Sequence, residues 1–211
     1  MFETKIRVPE STRIIALSDI HGDIDMLIIA LRDCAKVIKS KTHSDDTKID
    51  DILARLLKLD LNDASDAKEF DLNHDLNFEW IGGDTHVVIV GDILDGNREG
   101  QSLVNNKPIN NAYPHAEIKI IRFLNKMDEL AERTKGKVIK LIGNHEAGNF
   151  KQSIAIRVNR GNIFANQYAF DANIEINYPP GTHGITRSNY FELNNPGFKM
   201  FMERGSGVLL V

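Results

Sequence analysis

Three short polar clusters in this sequence carry residues able to hold a metal ion: Asp19-Ile20-His21 with Asp23, Gly91-Asp92 with Asp95, and Gly143-Asn144-His145-Glu146. Asp19 and His21, one residue apart, can point to the same side of an extended segment and offer one oxygen and one nitrogen to a single ion. A carboxylate such as Asp92 can bridge two ions, with the Asn144 carbonyl serving the second. Mixed oxygen and nitrogen ligands suit Zn, Mn or Fe more than Ca or Mg. Two ions roughly 3.5 to 4 Å apart clamp a phosphoryl group, and one of them lowers the pKa of a bound water enough for attack near neutral pH. His145, not needed as a ligand, can donate a proton to the leaving oxygen while Asp95 fixes its tautomer. Each cluster alone is ordinary. Asp-x-His-Gly also reads as a helix cap and turn, Gly-Asp as a plain turn, and Asn-His as a loop capping the next helix.

The clusters act together only if the chain brings them to one edge. Arg13 to Ser18 and Thr85 to Val90 are apolar runs that read as buried strands, and Lys137 to Ile142 reads as a third. Helical spacing of Leu27, Ile28, Leu31, Ala35 and Ile38 predicts a helix over 24–38. Ile118, Ile121, Leu124, Met127 and Ala131 predict another over 115–135, stopped at Gly136. Strand, helix, strand, helix, strand argues a parallel sheet with right-handed crossovers. In such a sheet ligands gather outside the carboxyl ends of the strands, and all three clusters follow a strand end.

The remaining chain is less patterned. Residues 39–80 are polar, with a helical patch at 49–59 and an Asp/Asn-rich run at 61–77, and read as an insertion into the framework. The favoured expectation is a solvated excursion with one short helix; the rival is a substrate-selecting or partner-binding flap. A polar loop covers 96–114. After Glu146 a helical pattern over 147–172 is broken by Gly148 and Gly161, Tyr178-Pro179-Pro180-Gly181 is a turn, and 196–211 reads as an amphipathic helix running into an apolar strand.

At 211 residues, with 42% hydrophobic and 27% charged residues, the chain has the composition of one soluble, folded domain. Its 26 Lys plus Arg against 30 Asp plus Glu give a net charge of -4, which supplies no basic field for nucleic acid or an anionic membrane. A phosphate ligand therefore needs a local positive charge, which a bound metal provides. The single Cys34 lies in an apolar stretch and reads as a buried thiol in a reducing compartment. The start lacks the apolar core of a signal peptide, and cytoplasm is the expected address.

Asp19-Ile20-His21, Gly91-Asp92-Ile93-Leu94-Asp95-Gly96 and Gly143-Asn144-His145-Glu146 resemble the first three motifs of the calcineurin-like metallophosphoesterases, in particular the serine/threonine protein phosphatase branch. The resemblance spans about Arg13 to Glu146. It implies an α/β fold, a β-sandwich flanked by helices with two divalent ions at one rim. It makes Asp19 and His21 ligands of the first ion, Asp92 the bridge, Asn144 a ligand of the second, and His145 the proton donor paired with Asp95. The family's phosphate-gripping Arg directly follows its second Asp; Gly96 stands there, and Arg98 is the nearest counterpart for substrate binding. Arg157 is a counterpart for a second Arg. Two later His ligands are also expected, the first in a His-Gly-Gly turn. His183-Gly184 follows Pro179-Pro180-Gly181 rather than an apolar strand and reads as loop.

The sequence thus predicts one metallophosphoesterase domain over 1–211, ending short of the second-half strands. The leading reading is hydrolysis of phosphate monoesters, on phosphoserine or phosphothreonine in proteins, by attack of metal-bound hydroxide. A nucleotide or dinucleoside polyphosphate is the rival substrate. A truncated or degenerate member acting as a non-catalytic binding module is the alternative from another class. A nucleotide-binding domain without hydrolysis ranks last, because no Gly-rich phosphate loop is present.

Overall fold

A computed structural model describes residues 12–41, 46–61, 63–73, 75–95, 103–104, 107–108, 115–151, 187–204 and 206–207. The chain begins with β1 (Ile14–Leu17) and α1 (Ile24–Ile29), then a π-helical turn over Ala30–Cys34 and β2 (Ile38–Ser40). Next come α2 (Asp46–Lys58), α3 (Ala64–Leu72), β3 (Phe78–Trp80) and β4 (His86–Ile89). Two short strands, β5 (Leu103–Val104) and β6 (Lys107–Pro108), precede α4 (Ala116–Glu132) and β7 (Lys137–Leu141). Then follow α5 (Asn144–Lys151), α6 (Arg187–Phe191), α7 (Pro196–Met202) and β8 (Ser206–Gly207).

The fold is mixed α/β. Strands β1, β4, β7 and β8 pair in that order, all parallel, with Leu17 beside Ile89 and Ile89 beside Lys140. The three strands read from the sequence are therefore neighbours, and their carboxyl ends share one rim. β8 begins the parallel pairing at 206–207, at the start of the expected apolar strand; residues 208–211 lie outside the described ones. Two antiparallel ribbons, β2 with β3 and β5 with β6, complete the pairing among the described residues. The sheet face carrying Val87, Ile89 and Val138 is buried, and α4 packs on β7. Ile14 and Val90, on the opposite face, are exposed. Among the described residues, no helix is long and apolar enough to cross a membrane.

Four expectations need correction. The strand read over 13–18 is not buried: in β1, Ile14 and Ala16 are exposed and Ile15 and Leu17 half-buried, because β1 is an edge strand of the described sheet. The helix expected over 24–38 ends with the π turn at Cys34, and Ile38 opens β2. Residues 39–80 are not a solvated excursion with one short helix. They hold two helices and both strands of a ribbon, and they bury Leu53, Leu56, Leu57, Phe70 and Phe78 in the same core as the sheet. Cys34 is not a buried thiol but exposed. The helix stays regular only to Ile29, and the wider π turn, closed by Ala35 N–H to Ala30 O at 2.8 Å, rotates Cys34 off the buried face while Leu31 and Ala35 keep theirs.

Lys119 explains how the 46–61 segment is attached. It is fully buried on α4, its Nζ donates to Leu57 O at 2.7 Å and Leu59 O at 2.6 Å, and it stands over the Phe70 ring. These carbonyls lie at and just past the end of α2, where a helix leaves acceptors unpaired and favours a cation. Burial pushes the Lys119 pKa down from 10.5 to about 8, against the pull of Asp60 and Asp66. Above the folded value an unfolded Lys119 still binds a proton that the folded protein has lost. Stability linked to this group therefore grows as pH rises from about 8 to 10.5 and is lost as pH falls through about 8. In urea denaturation across that range, the stability of the native chain relative to Lys119→Met is expected to rise with pH; a constant difference would contradict the burial of a charged lysine.

Candidate metal and proton-transfer site

The loops after β1, β4 and β7 are stitched together by backbone. His21 N–H donates to Asp92 O at 2.8 Å and Gly22 N–H to Ile93 O at 2.9 Å, joining the first loop to the second. The second meets the third where Gly91, at φ +90, faces Gly143: a Cβ on Gly91 would lie 2.4 Å from Gly143 Cα. A Cβ on Gly143 would lie 2.3 Å from Asp92 Oδ1. Both glycines of the sequence motifs are thus required by close approach, not only by the turn.

The fully buried Glu146 carboxylate locks this contact. Its Oε2 accepts from Asp92 N–H at 2.7 Å and Gly143 N–H at 3.0 Å. Its Oε1 accepts from Ile93 N–H at 2.8 Å and Leu94 N–H at 2.9 Å. Burial pushes the Glu146 pKa up, and the amide dipoles of Leu94, Asp92 and Gly143 pull it back. Glu146 is therefore an organiser of both loops, a role its place after Asn-His does not announce.

The rim carries backbone strain. Asp19, His21, Asp92 and Asp95 all have left-handed φ values, of 55, 44, 55 and 62°. Asp and His tolerate this region better than most residues, but each such position costs on the order of 1–3 kcal/mol and persists only where surroundings dictate it. Four of the six site residues described are held this way, which marks the rim as a place shaped for something other than stability.

His21 Nδ1 lies 3.0 Å from Leu94 O, an acceptor only, so Nδ1 carries the proton and Nε2 is the nitrogen suited to ligate. Asp19 Oδ1 is 3.8 Å from that Nε2. His21, Asp92 and His145 each place a possible ligand atom within 4.8 Å of the others. Two imidazoles and one carboxylate, with the Asp19 carboxylate beside His21, form a mixed nitrogen and oxygen donor set that fits a divalent transition-metal ion. Asn144 opens α5 with its side-chain amide against the Asp92 carboxylate: an oxygen turned inward would face Asp92 as a co-ligand, and a nitrogen turned inward would donate to Asp92 Oδ2 at 2.9 Å. Asp23 instead caps α1, accepting from Met26 N–H at 2.9 Å.

Behind this group sits a buried pair. His145 Nδ1 donates to Asp95 Oδ2 at 2.7 Å, with side chains 3% and 0% exposed. The carboxylate fixes Nδ1 as a donor and holds the ring's orientation, which leaves Nε2 as the nitrogen available to a ligand. The His145 ring meets that of His21 edge-on at 4.7 Å between centroids. Asn149, buried one turn along α5, donates to both Asp95 Oδ2 at 3.1 Å and His145 O at 2.8 Å. Its only signal in the sequence is the i+4 spacing from His145. Glu117, from the first turn of α4, accepts the Asp95 N–H at 2.6 Å and has no local signal at all. Arg98, Arg157 and His183 lie outside the described residues.

No protein-family model matches the chain. It is 29% identical over 151 residues to Shewanella-like protein phosphatase 2 of Arabidopsis thaliana, an alignment covering 72% of this chain and 24% of that protein. The chain thus spans about a quarter of the length of this curated relative. Among solved structures, the cold-active protein-tyrosine phosphatase of a psychrophilic Shewanella species superposes with a TM-score of 0.34 at 19% identity, covering 75% of this chain and 33% of that one. The phosphatase domain of the Legionella effector WipB gives 0.38 at 13% identity, covering 91% and 54%. Both superpositions are loose.

Glu146→Gln would set an amide NH2 against backbone N–H groups and leave buried donors unpaired. It is expected to cost about 3 kcal/mol or more in chemical denaturation, and a change below about 1 kcal/mol would contradict the organising role. The strain at Asp19 has its own test. With metal withheld, Asp19→Ala is expected to be less stable than Asp19→Gly by about 1 kcal/mol, because only glycine is at ease at positive φ. Equal stabilities would contradict a left-handed Asp19.

Proposed function

We propose that this chain carries part of the site of a metal-dependent phosphatase acting on phosphate monoesters, with phosphoserine and phosphothreonine of proteins as the substrate class. The observation that carries the reading is the convergence, on one sheet rim, of His21, Asp92 and His145, with Asp19 beside His21 and the buried Asp95 behind His145. The name of the Arabidopsis relative, a protein phosphatase, agrees with it. The motifs that resemble the calcineurin-like metallophosphoesterases are the same residues.

In this reading His21, Asp19 and Asp92 would hold one ion, and Asp92 with Asn144 would hold a second, of the Mn, Fe or Zn type. When bound, such ions supply the positive charge that the acidic chain lacks and lower the pKa of a water beside the phosphorus. The remaining chemistry belongs to the protein. As the bond from phosphorus to the leaving oxygen breaks, His145 Nε2 gives its proton to that oxygen and releases a neutral alcohol. Asp95, hydrogen-bonded to Nδ1, keeps the ring oriented.

A serine alkoxide needs that proton, whereas nitrophenolate leaves without it. His145→Asn is therefore expected to lower kcat on a phosphoserine peptide by on the order of 10²–10⁴ and on nitrophenyl phosphate far less. Activity on either substrate should disappear on chelation and return with Mn(II). Hydrolysis that survives both chelation and Asp92→Asn would overturn the proposal. Metal uptake without turnover of any phosphate ester would replace it with a non-catalytic binding module.

A further inference from the structure

The loop 92–95 carries both the Asp92 carboxylate and the Asp95 acid, and its four consecutive amides all end on buried or half-buried carboxylates. Glu146 takes the N–H groups of Asp92, Ile93 and Leu94. The fourth, that of Asp95, goes to Glu117 Oε1 at 2.6 Å. An acid in the first turn of a helix is favoured by the helix dipole wherever it points. That general role does not require an oxygen in contact with an amide 22 residues away in sequence.

The helical turn that presents Glu117 is itself anchored on both sides. His115, at φ +54, precedes α4 and brings Nε2 to 3.3 Å from Asp60 Oδ1. Lys119 holds the carbonyls of Leu57 and Leu59. Asp95 sits at φ +62, a conformation an L-residue does not choose unaided, and from it the side chain reaches His145 Nδ1.

We infer that Glu117 is a positioning residue for the Asp95–His145 pair: by accepting the Asp95 N–H it holds Asp95 in the left-handed conformation from which its carboxylate orients His145. Its effect on turnover rests on the phosphatase reading of the site; its effect on the Asp95 backbone does not. Glutamine in place of Glu117 keeps an acceptor oxygen, and alanine removes it.

On a phosphoserine peptide, Glu117→Ala in the full chain is expected to lower kcat by about tenfold with KM unchanged. Glu117→Gln should restore most of that loss. In an Asp95→Asn background, Glu117→Ala should cost nothing further, since the residue acts through Asp95. Equal loss for Ala and Gln, a loss confined to KM, or full additivity with Asp95→Asn would overturn the inference. An Asp95→Asn variant as active as the native chain would instead sink the phosphatase reading. Amide hydrogen exchange at Asp95, read by NMR, decides the positioning claim whether or not the chain turns over substrate. Protection is expected in the native chain and Glu117→Gln, with exchange at least about tenfold faster in Glu117→Ala. Equal exchange in all three contradicts it. Should the Ala variant fail to fold, Glu117→Leu keeps the apolar stem without the acceptor and is read in the same way.

Discussion

A carboxylate with no water around it must be satisfied by whatever donors the fold brings to it, and at Glu146 those donors are four backbone amides from the loops after β4 and β7. This arrangement has two consequences. It offsets the cost of burying the charge with oriented N–H dipoles. It also dictates the path of the loop 92–95, and through the backbone bonds from His21 and Gly22 the path of the loop after β1. Asp92, Asp95 and His21 take left-handed conformations because the surrounding bonds leave them no other course. The side chains that could meet a metal or a phosphate inherit their aim from that carboxylate.

The rim is therefore built against the local preferences of its own residues. Much of the apolar burial lies away from the rim. The buried sheet face, the packing of α4, and the helices of the 46–72 segment contribute apolar burial. Two fully buried lysines join these parts. Lys119 ties α4 to the end of α2, and Lys140, on β7, donates to Asn125 Oδ1 and to Arg204 O, fastening the stretch between α7 and β8. Burial pushes both ammonium groups down to about 8, with Asp128 and Glu203 opposing the shift at Lys140. Each is an ion whose hydrogen bonds specify one docking geometry for a neighbouring segment.

Much of this was open to sequence reasoning, for a physical reason. The runs that form β1, β4 and β7 are dominated by Ile, Val and Leu whether the strand is central, as β4, or at the sheet edge, as β1, and the residues at their ends are polar against that background. Asp19, His21, Asp92, Asp95, Asn144 and His145 stand out for that reason, and the structure brings them to one rim. What is not legible is anything decided by contacts distant in sequence. Glu117 looks like any first-turn acid, and Glu146 like the end of a motif. The left-handed backbone of Asp19 and Asp92 leaves no trace in residue type beyond a weak preference. Residues 39–80 read as solvated because their core positions, such as Leu56, Phe70 and Phe78, are scattered among charges that face water. Cys34 reads as buried because the pattern assumes 3.6 residues per turn, and the π turn breaks that period.

The loops organised by Glu146 bring His21 Nε2 and the Asp92 carboxylate close enough to meet one cation. Anomalous diffraction from crystals grown with Mn(II) tests this most directly. An anomalous peak is expected about 2.0–2.3 Å from both His21 Nε2 and an Asp92 oxygen, distances usual for such ligands. A saturated crystal with no peak at this rim, or with manganese bound away from His21 and Asp92, would contradict it.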